Sequence, residues 1–195
     1  MLSEYLKGNL IFEERGKRIE ITPGEGESAQ AYDLDVMGEG YFAALYQGMD
    51  RQPRSADGLY IGRLANGKTC VLIIELKGAS GDRARAATQL ATTMRHFIPG
   101  HQEVTLSDDG TRHHHEAASN ESYLKLGPQH LVIGIVVGAE RGRNTVLPNI
   151  DIGKYAGNLI RGYAIRLNSR APWSYTLHSL CEEVSRNIGV SVINL

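Results

Sequence analysis

The sequence has little cysteine, no long apolar run and no excess of charge of either sign. Its two cysteines, Cys70 and Cys181, stand far apart and form no Cys-x-x-Cys pair. This spacing argues against a disulfide framework and against a structural zinc site. No apolar run is long enough to span a bilayer, and the first residues lack the apolar stretch of a secretory signal. These absences predict a soluble, cytoplasmic protein with no membrane partner.

The charges of the chain nearly cancel. Lys+Arg 21 against Asp+Glu 22 gives a formal net charge of -1. Such a chain has no global field that would draw it onto a polyanion, so any affinity for nucleic acid must come from local basic patches. At 195 residues and 42% hydrophobic content, the chain is long enough to bury one core, and we expect a single domain over residues 1–195.

The stretch from Asp57 to Lys77 has the pattern of a β-hairpin. Two apolar segments, residues 57–64 and 68–77, flank an Asn-Gly turn, which is the strongest short-range hairpin signal. The second segment is aliphatic on both faces, which predicts a central strand, yet it contains Glu75 and Lys77. Charges inside a central strand are costly unless they are paired or bind a metal. The alternative is an edge strand with an exposed ion pair.

Periodicity predicts the other elements and the fold class. We expect an α/β protein with a mixed central sheet flanked by helices. Residues 29–49 are ambiguous, with a strand pattern around 32–36 and a helical one over 41–46. The remaining expectations are a helix from Ser3 to about Glu14, a strand over 17–22, a helix over 82–97, a long polar loop over 100–128, strands over 131–137 and 162–167, and a closing helix over 174–188.

The length of the hairpin turn decides which side chains share a face. A two-residue loop would pair residue 65 with 68 and place Asp57 on the face away from Glu75. A three-residue loop, with Gly67 left-handed, would pair 64 with 68 and place Asp57 opposite Glu75. Only the longer loop gathers Asp57, Glu75 and Lys77 on one face. If these residues form a site, the turn must be the bulged one.

Two carboxylates that converge at one end of paired strands suit Mg²⁺, with Mn²⁺ as a substitute. Lys77 beside them would orient or deprotonate a metal-bound water and offset charge in the transition state. The pattern therefore predicts metal-assisted hydrolysis of a phosphodiester.

Asp57, the run Glu75-Leu76-Lys77 and Gln89 in the following helix together resemble the PD-(D/E)xK nuclease superfamily. The resemblance covers residues 57–137 and implies a restriction-endonuclease-like core of strand, strand, helix and strand. It implies that Asp57 and Glu75 bind Mg²⁺, that Lys77 assists the attacking water, and that Gln89 supports the site, as in the recombination-exonuclease branch.

One residue departs from the family pattern, because Ala56 stands where many members have proline. Asp50 is the fallback for Asp57, whose alternative role is an ordinary turn residue. Many members also carry an upstream acid. The candidates for it are Glu39 and, behind it, Glu13 or Glu14.

Two pairs of arginines flank the proposed core. Arg83 and Arg85 lie in the first turn of the helix after the motif, and Arg141 and Arg143 follow the strand over 131–137. Each pair is either a phosphate contact or a solvated face. The run His113-His114-His115 lacks spacing that would aim two rings at one metal ion, so a solvated loop is the preferred interpretation.

The predicted function is that of a Mg²⁺-dependent deoxyribonuclease, acting on DNA in preference to RNA, in defence, restriction or repair. Because many nucleases of this fold cut both strands as dimers, we expect a homodimer or a higher homo-oligomer. The alternative is a non-catalytic nucleic-acid-binding or assembly subunit of the same fold. A third candidate is a small-molecule hydrolase that uses His113 to His115.

Overall fold

A mixed β-sheet of seven strands forms the centre of the computed structural model. The structure describes residues 2–14, 16–35, 39–47, 55–76, 83–99, 102–106, 112–116, 124–138, 145–146, 150–155, 158–167 and 173–193. In chain order the elements are a 3₁₀ helix (Leu2–Tyr5), β1 (Ile11–Glu14), β2 (Lys17–Ile21), β3 (Ser28–Asp33), α1 (Tyr41–Leu45), β4 (Gly58–Arg63), β5 (Thr69–Leu76), α2 (Arg83–His96), β6 (Gln102–Leu106), β7 (Arg112–Glu116), β8 (Leu131–Val137), β9 (Thr145–Val146), β10 (Ile150–Tyr155), β11 (Asn158–Leu167), β12 (Ser174–Tyr175) and α3 (Leu177–Ile188).

The central sheet combines an antiparallel half with a parallel half. Its strand order is β10-β11-β8-β5-β4-β3, with β9 also paired to β11. Strands β3, β4 and β5 form an antiparallel meander, whereas β5, β8 and β11 run parallel. Because β5 has a hydrogen-bonded neighbour on each side, the prediction of a central strand is confirmed and the edge-strand alternative is wrong.

Helix α2 covers one face of this sheet. Leu90 and Met94 are fully buried in one cluster with Val132 of β8. A β-carbon added to Gly134 of β8 would lie 2.9 Å from Leu90 and 3.0 Å from Met94. The side chains of Leu90 and Met94 therefore fill the space above Gly134 and would have to shift if a larger residue replaced it.

Helix α3 covers the opposite face. Its side chains Leu177, Leu180, Cys181 and Val184 are buried there. The predicted helix over 174–188 begins later than expected, at Leu177, because residues 174 and 175 pair with β2 as β12. Cys181 lies against Cys70 of β5, and both thiols are free and buried. The hydrogen bond to Cys181, together with burial, raises the pKa of the Cys70 thiol.

A small sheet lies on the same side as α3 and joins distant parts of the chain. Its strand order is β1-β2-β12, and β12 runs parallel to β2. Beside it, the Glu27 carboxylate accepts hydrogen bonds from the backbone N–H groups of Leu177 (3.0 Å) and His178 (2.7 Å) at the start of α3. A carboxylate there satisfies N–H groups that have no partner within the helix and complements the helix dipole.

Two predicted segments are wrong. The predicted helix from Ser3 to about Glu14 is a 3₁₀ helix that ends at Tyr5, followed by β1, in which Phe12 pairs with Ile19. Pairing with β2 stabilises a strand here whatever the local helical pattern. The predicted loop over 100–128 contains the β6–β7 hairpin. His113, His114 and His115 therefore lie in β7 and not in a loop.

The predicted class of mixed α/β is confirmed, with helices on both faces of the sheet. The predicted strand over 17–22, the helix over 82–97 and the strand over 131–137 correspond to β2, α2 and β8. Among the described helices, none has the length and apolar character needed to cross a bilayer. The single domain over residues 1–195 stays a prediction.

Candidate active site

The turn between β4 and β5 has three residues. The N–H of Leu64 donates to the carbonyl of Lys68 (2.9 Å), and the N–H of Gly67 donates to the carbonyl of Leu64 (2.8 Å). Gly67 has φ of 85°, in the left-handed region. The side chain of Asn66 also accepts a hydrogen bond from the N–H of Lys68 (3.0 Å). The bulged loop, rather than the two-residue loop, is therefore the one that forms.

This turn brings Asp57 to the face of Glu75. The ladder pairs Leu59 with Ile73 and Gly58 with Ile74, so its next step places Asp57 opposite Glu75. Residues opposite each other in an antiparallel pair lie on the same face. Leu59 and Ile73, two residues away on each strand, both pack in the cluster under α2. Asp57 and Glu75 therefore share the α2 face, as the three-residue loop requires.

The backbone around Asp57 is held by both neighbouring strands. Its carboxylate Oδ2 accepts a hydrogen bond from the N–H of Leu76 (2.5 Å) at the end of β5. Its carbonyl accepts from the N–H groups of Leu34 (3.0 Å) and Asp35 (3.2 Å), which follow β3. The Asp57 carboxylate therefore contacts the backbone of β5 at Leu76, the residue after Glu75.

Glu75 is buried in the centre of the sheet. Only 1% of its surface is exposed, and β5 lies between β4 and β8. A buried carboxylate costs several kcal/mol unless it is protonated, paired or bound to a cation. A glutamate at this position is therefore not explained by the packing of the strand alone.

Helix α2 contacts the segment that precedes Asp57. Gln89 Nε2 donates to the carbonyl of Ser55 (2.9 Å), and Thr93 Oγ1 accepts from the N–H of Ala56 (2.7 Å). The sequence predicted that Gln89 supports the site. In the structure, the side-chain amide of Gln89 binds the carbonyl of Ser55, which lies two residues before Asp57 in the chain. No pattern in the sequence indicates Thr93, because its contact depends on how the helix packs.

Asp35 is a further acid at this end of the sheet that sequence reasoning missed. Its Oδ2 accepts a hydrogen bond from the hydroxyl of Ser55 (3.1 Å), while its Oδ1 is buried without a hydrogen-bond partner among the described residues. Burial raises the pKa of the Asp35 carboxyl, although the bond from Ser55 opposes the shift. The available signal was its position just after a strand that pairs with the Asp57 segment.

The three candidates for the upstream acid lie at two different places. Glu39 lines a cleft of about 680 Å³ together with Glu4, Tyr5 and Asp33. Glu13 and Glu14 belong to β1, and Glu13 forms an ion pair with Arg18 (3.2 Å). The small sheet that contains β1 packs on the face opposite to α2. The structure therefore does not bring Glu13 or Glu14 to the face of Asp57 and Glu75.

Several predicted site residues fall outside what the structure describes. Asp50, Lys77, Arg141 and Arg143 are not among the described residues. Arg83 begins α2, but its side chain is not described, whereas Arg85 is exposed on the first turn of that helix. The roles assigned to these residues stay predictions.

The donor chemistry of the pair Asp57 and Glu75 fits a hard cation. Mg²⁺ is bound by one or two carboxylates, and it keeps several waters. Within the described ranges, no group of three or more His, Cys, Asp or Glu side chains is placed to hold a metal ion. The pair Asp57 and Glu75 is therefore compatible with Mg²⁺, which needs few protein ligands, but too small for a structural zinc site.

Comparison with known proteins assigns neither a family nor a function to this chain. An inference of function therefore rests on the geometry around Asp57 and Glu75. No protein-family model, no curated protein and no solved structure matches this chain.

Proposed function

We propose that the protein is a Mg²⁺-dependent nuclease of the PD-(D/E)xK type that hydrolyses phosphodiester bonds, in DNA in preference to RNA. The observation that carries this proposal is the three-residue turn. It places Asp57 opposite Glu75 on the face of the sheet that α2 covers. A hairpin built only for packing would not need a buried carboxylate at position 75.

The order of the elements supports the proposal. The meander β3-β4-β5 is followed by α2 and then by β8, which lies beside β5 and parallel to it. This order is compatible with the strand, strand, helix and strand core that the family resemblance implies.

Asp57 and Glu75 would hold the metal ion. When bound, Mg²⁺ supplies Lewis-acid stabilisation of the phosphoryl oxygens and lowers the pKa of a coordinated water. Alternation along a strand would put Lys77 on the face of Glu75, where its ammonium would offset charge on the phosphate. Asp35 replaces Glu39 as the proposed additional acid, because its backbone bonds to Asp57 and its carboxylate to Ser55.

The test is cleavage of plasmid, linear double-stranded DNA, single-stranded DNA and RNA in Mg²⁺, Mn²⁺ or EDTA. We expect cleavage of DNA that requires the metal and that falls by about 10²-fold or more in Asp57→Asn, Glu75→Gln and Lys77→Ala, since each removes several kcal/mol of charge stabilisation. Glu182→Gln is the matched control, because Glu182 is exposed on α3 on the opposite face.

Two results would contradict this function. Cleavage that survives both EDTA and Asp57→Asn would exclude Asp57 and Glu75 as the metal site. If the wild-type protein cleaves nothing but shifts DNA in a gel, the protein is a binding or assembly subunit.

A further inference from the structure

The two residues before Asp57 are buried but lie outside the strand ladder. Ser55 is 2% exposed and Ala56 is fully buried, while β4 begins only at Gly58. Buried backbone N–H and C=O groups require hydrogen-bond partners. For the carbonyl of Ser55 and the N–H of Ala56, the partners are side chains of α2.

Gln89 and Thr93 provide these partners from one side of the helix. They are four residues apart, so they lie one above the other on the same face. Gln89 donates to the carbonyl of Ser55 at 2.9 Å, and Thr93 accepts from the N–H of Ala56 at 2.7 Å. Gln89 thus satisfies the backbone acceptor of Ser55, and Thr93 satisfies the backbone donor of the next residue, Ala56. We call this pair the α2 clamp.

The α2 clamp is polar within an otherwise apolar contact. Leu90 and Met94, the residues that directly follow Gln89 and Thr93, pack in the core beneath the helix. Thr93 has no exposed surface, and Gln89 has 8%. Buried polar groups add little net stability over apolar ones of the same shape. Their benefit here is directional, because a hydrogen bond fixes the backbone position and an apolar contact does not.

Asp57 is the next residue along the chain, so its position follows from the α2 clamp. From Asp57 onwards, hydrogen bonds to Leu34, Asp35 and Leu76 hold the chain between β3 and β5. Before Asp57, the α2 clamp takes over this role. If the segment shifted by one residue, the carboxylate would turn to the other face of the sheet.

We propose that Thr93 is a positioning residue that, together with Gln89, fixes the Asp57 carboxylate relative to Glu75 and thereby sets the affinity for Mg²⁺. This inference rests on the proposed function, because it takes Asp57 and Glu75 as the metal site. Thr93 acts through the backbone of Ala56 and does not itself contact the metal or the substrate.

The test compares Mg²⁺ binding by calorimetry and the Mg²⁺ dependence of DNA cleavage in three variants. Thr93→Val keeps the shape but removes the acceptor, and we expect the Mg²⁺ dissociation constant and the half-activating concentration to rise by about tenfold, since loss of a residue that orients a metal ligand typically costs about 10–100-fold in metal affinity. Thr93→Ser keeps the hydroxyl and should stay within about twofold of wild type. Thr92→Val makes the same change at a half-buried neighbour and should leave both values unchanged.

The outcomes separate this inference from the proposed function. If Thr93→Val binds Mg²⁺ as tightly as wild type, the proposed positioning role of the α2 clamp is wrong, whatever the stability of the variant. If Thr93→Val does not fold, Gln89→Met removes the other hydrogen bond and must show the same weakening. A wild-type protein that binds Mg²⁺ without cleaving DNA ends the nuclease proposal but still tests the α2 clamp by binding. A wild-type protein that binds neither Mg²⁺ nor Mn²⁺ overturns both.

Discussion

At the scale of single residues, a buried tyrosine joins the two sheets. The hydroxyl of Tyr60 in β4 donates to the carbonyls of Leu10 (3.0 Å) and Ile19 (3.2 Å), next to and within the small sheet. Burial raises the pKa of Tyr60 well above its usual range, and burial raises that of Tyr175 to about 12. Both hydroxyls thus stay protonated in the folded protein at pH values where an exposed tyrosine ionises.

We therefore expect the free energy of unfolding to fall above about pH 10. When the pKa of a tyrosine is higher in the folded than in the unfolded protein, its contribution to the free energy of unfolding is complete below the unfolded pKa of about 10. This contribution is lost as the pH rises towards the folded pKa. Each such tyrosine adds a decline of up to about 1.4 kcal/mol per pH unit. Urea unfolding between pH 8 and pH 11.5 measures this decline.

Tyr60→Phe should remove part of the decline, because phenylalanine cannot ionise in the unfolded chain. Tyr163→Phe changes a partly exposed tyrosine of β11 and is the control. The same alkaline decline in wild type and Tyr60→Phe would show that Tyr60 ionises normally in the folded protein.

At the scale of elements, Gly67 sets the turn between β4 and β5. Its φ of 85° is costly for any other residue, whereas an added β-carbon would meet only the end of the Arg63 side chain, at 3.6 Å. We expect Gly67→Ala to lower the free energy of unfolding by about 1–2 kcal/mol, since the strain is conformational and not steric. Urea unfolding of the variant against wild type measures the difference.

Gly8→Ala is the matched control for this change. Gly8 has no positive φ, and an added β-carbon would meet nothing within 4 Å. Equal stabilities of Gly67→Ala and Gly8→Ala would mean that the turn does not adopt the left-handed conformation in solution.

The elements that the sequence predicts are those with a local signal. The Asn66-Gly67 pair predicts a hairpin turn although it leaves the turn length open, and the nearly unbroken aliphatic run of β8 favours a buried strand. In contrast, β1 depends on its pairing with β2, β6 has only Val104 and Leu106 in alternation, and β7 is a polar run with no apolar residue. The local sequence pattern does not predict a strand whose conformation depends on pairing with another strand.

The same limit applies to the site. Glu75 and Asp57 could be selected because strand parity follows from spacing along the chain once a turn length is chosen, and Gln89 could be selected from the family resemblance alone. Thr93 and Asp35 could not, because their hydrogen bonds to Ala56 and Ser55 arise when α2 and β3 pack against the Asp57 segment. Such contacts follow from tertiary packing, for which the sequence provides no simple period.

At the scale of the whole molecule, the net charge of -1 limits how the protein binds a polyanion. If Arg83, Arg85, Arg141 and Arg143 each contact one phosphate, the logarithm of the DNA affinity should fall against the logarithm of salt concentration with a slope of about -3.6. Fluorescence anisotropy with a labelled duplex between 50 and 200 mM salt measures this slope.

Arg85→Ala should make the slope shallower by about 0.9 through the loss of one contact. Arg186→Ala is the control, because Arg186 is exposed on α3 and forms an ion pair with Glu183 (2.8 Å). A slope that Arg85→Ala leaves unchanged would place the DNA on another surface.

The link between the small sheet and α3 affects the timing of folding. Glu27 and Leu177 are 150 residues apart, and β2 pairs with β12 across a similar separation. Contacts of such long range slow folding, because the loop must close before they form. On a ribosome that adds about 5–20 residues per second, β2 emerges on the order of 10 s before the strand that completes its sheet. Over that interval the edge of β2 that later pairs with β12 lacks its native partner and is open to pairing with another chain.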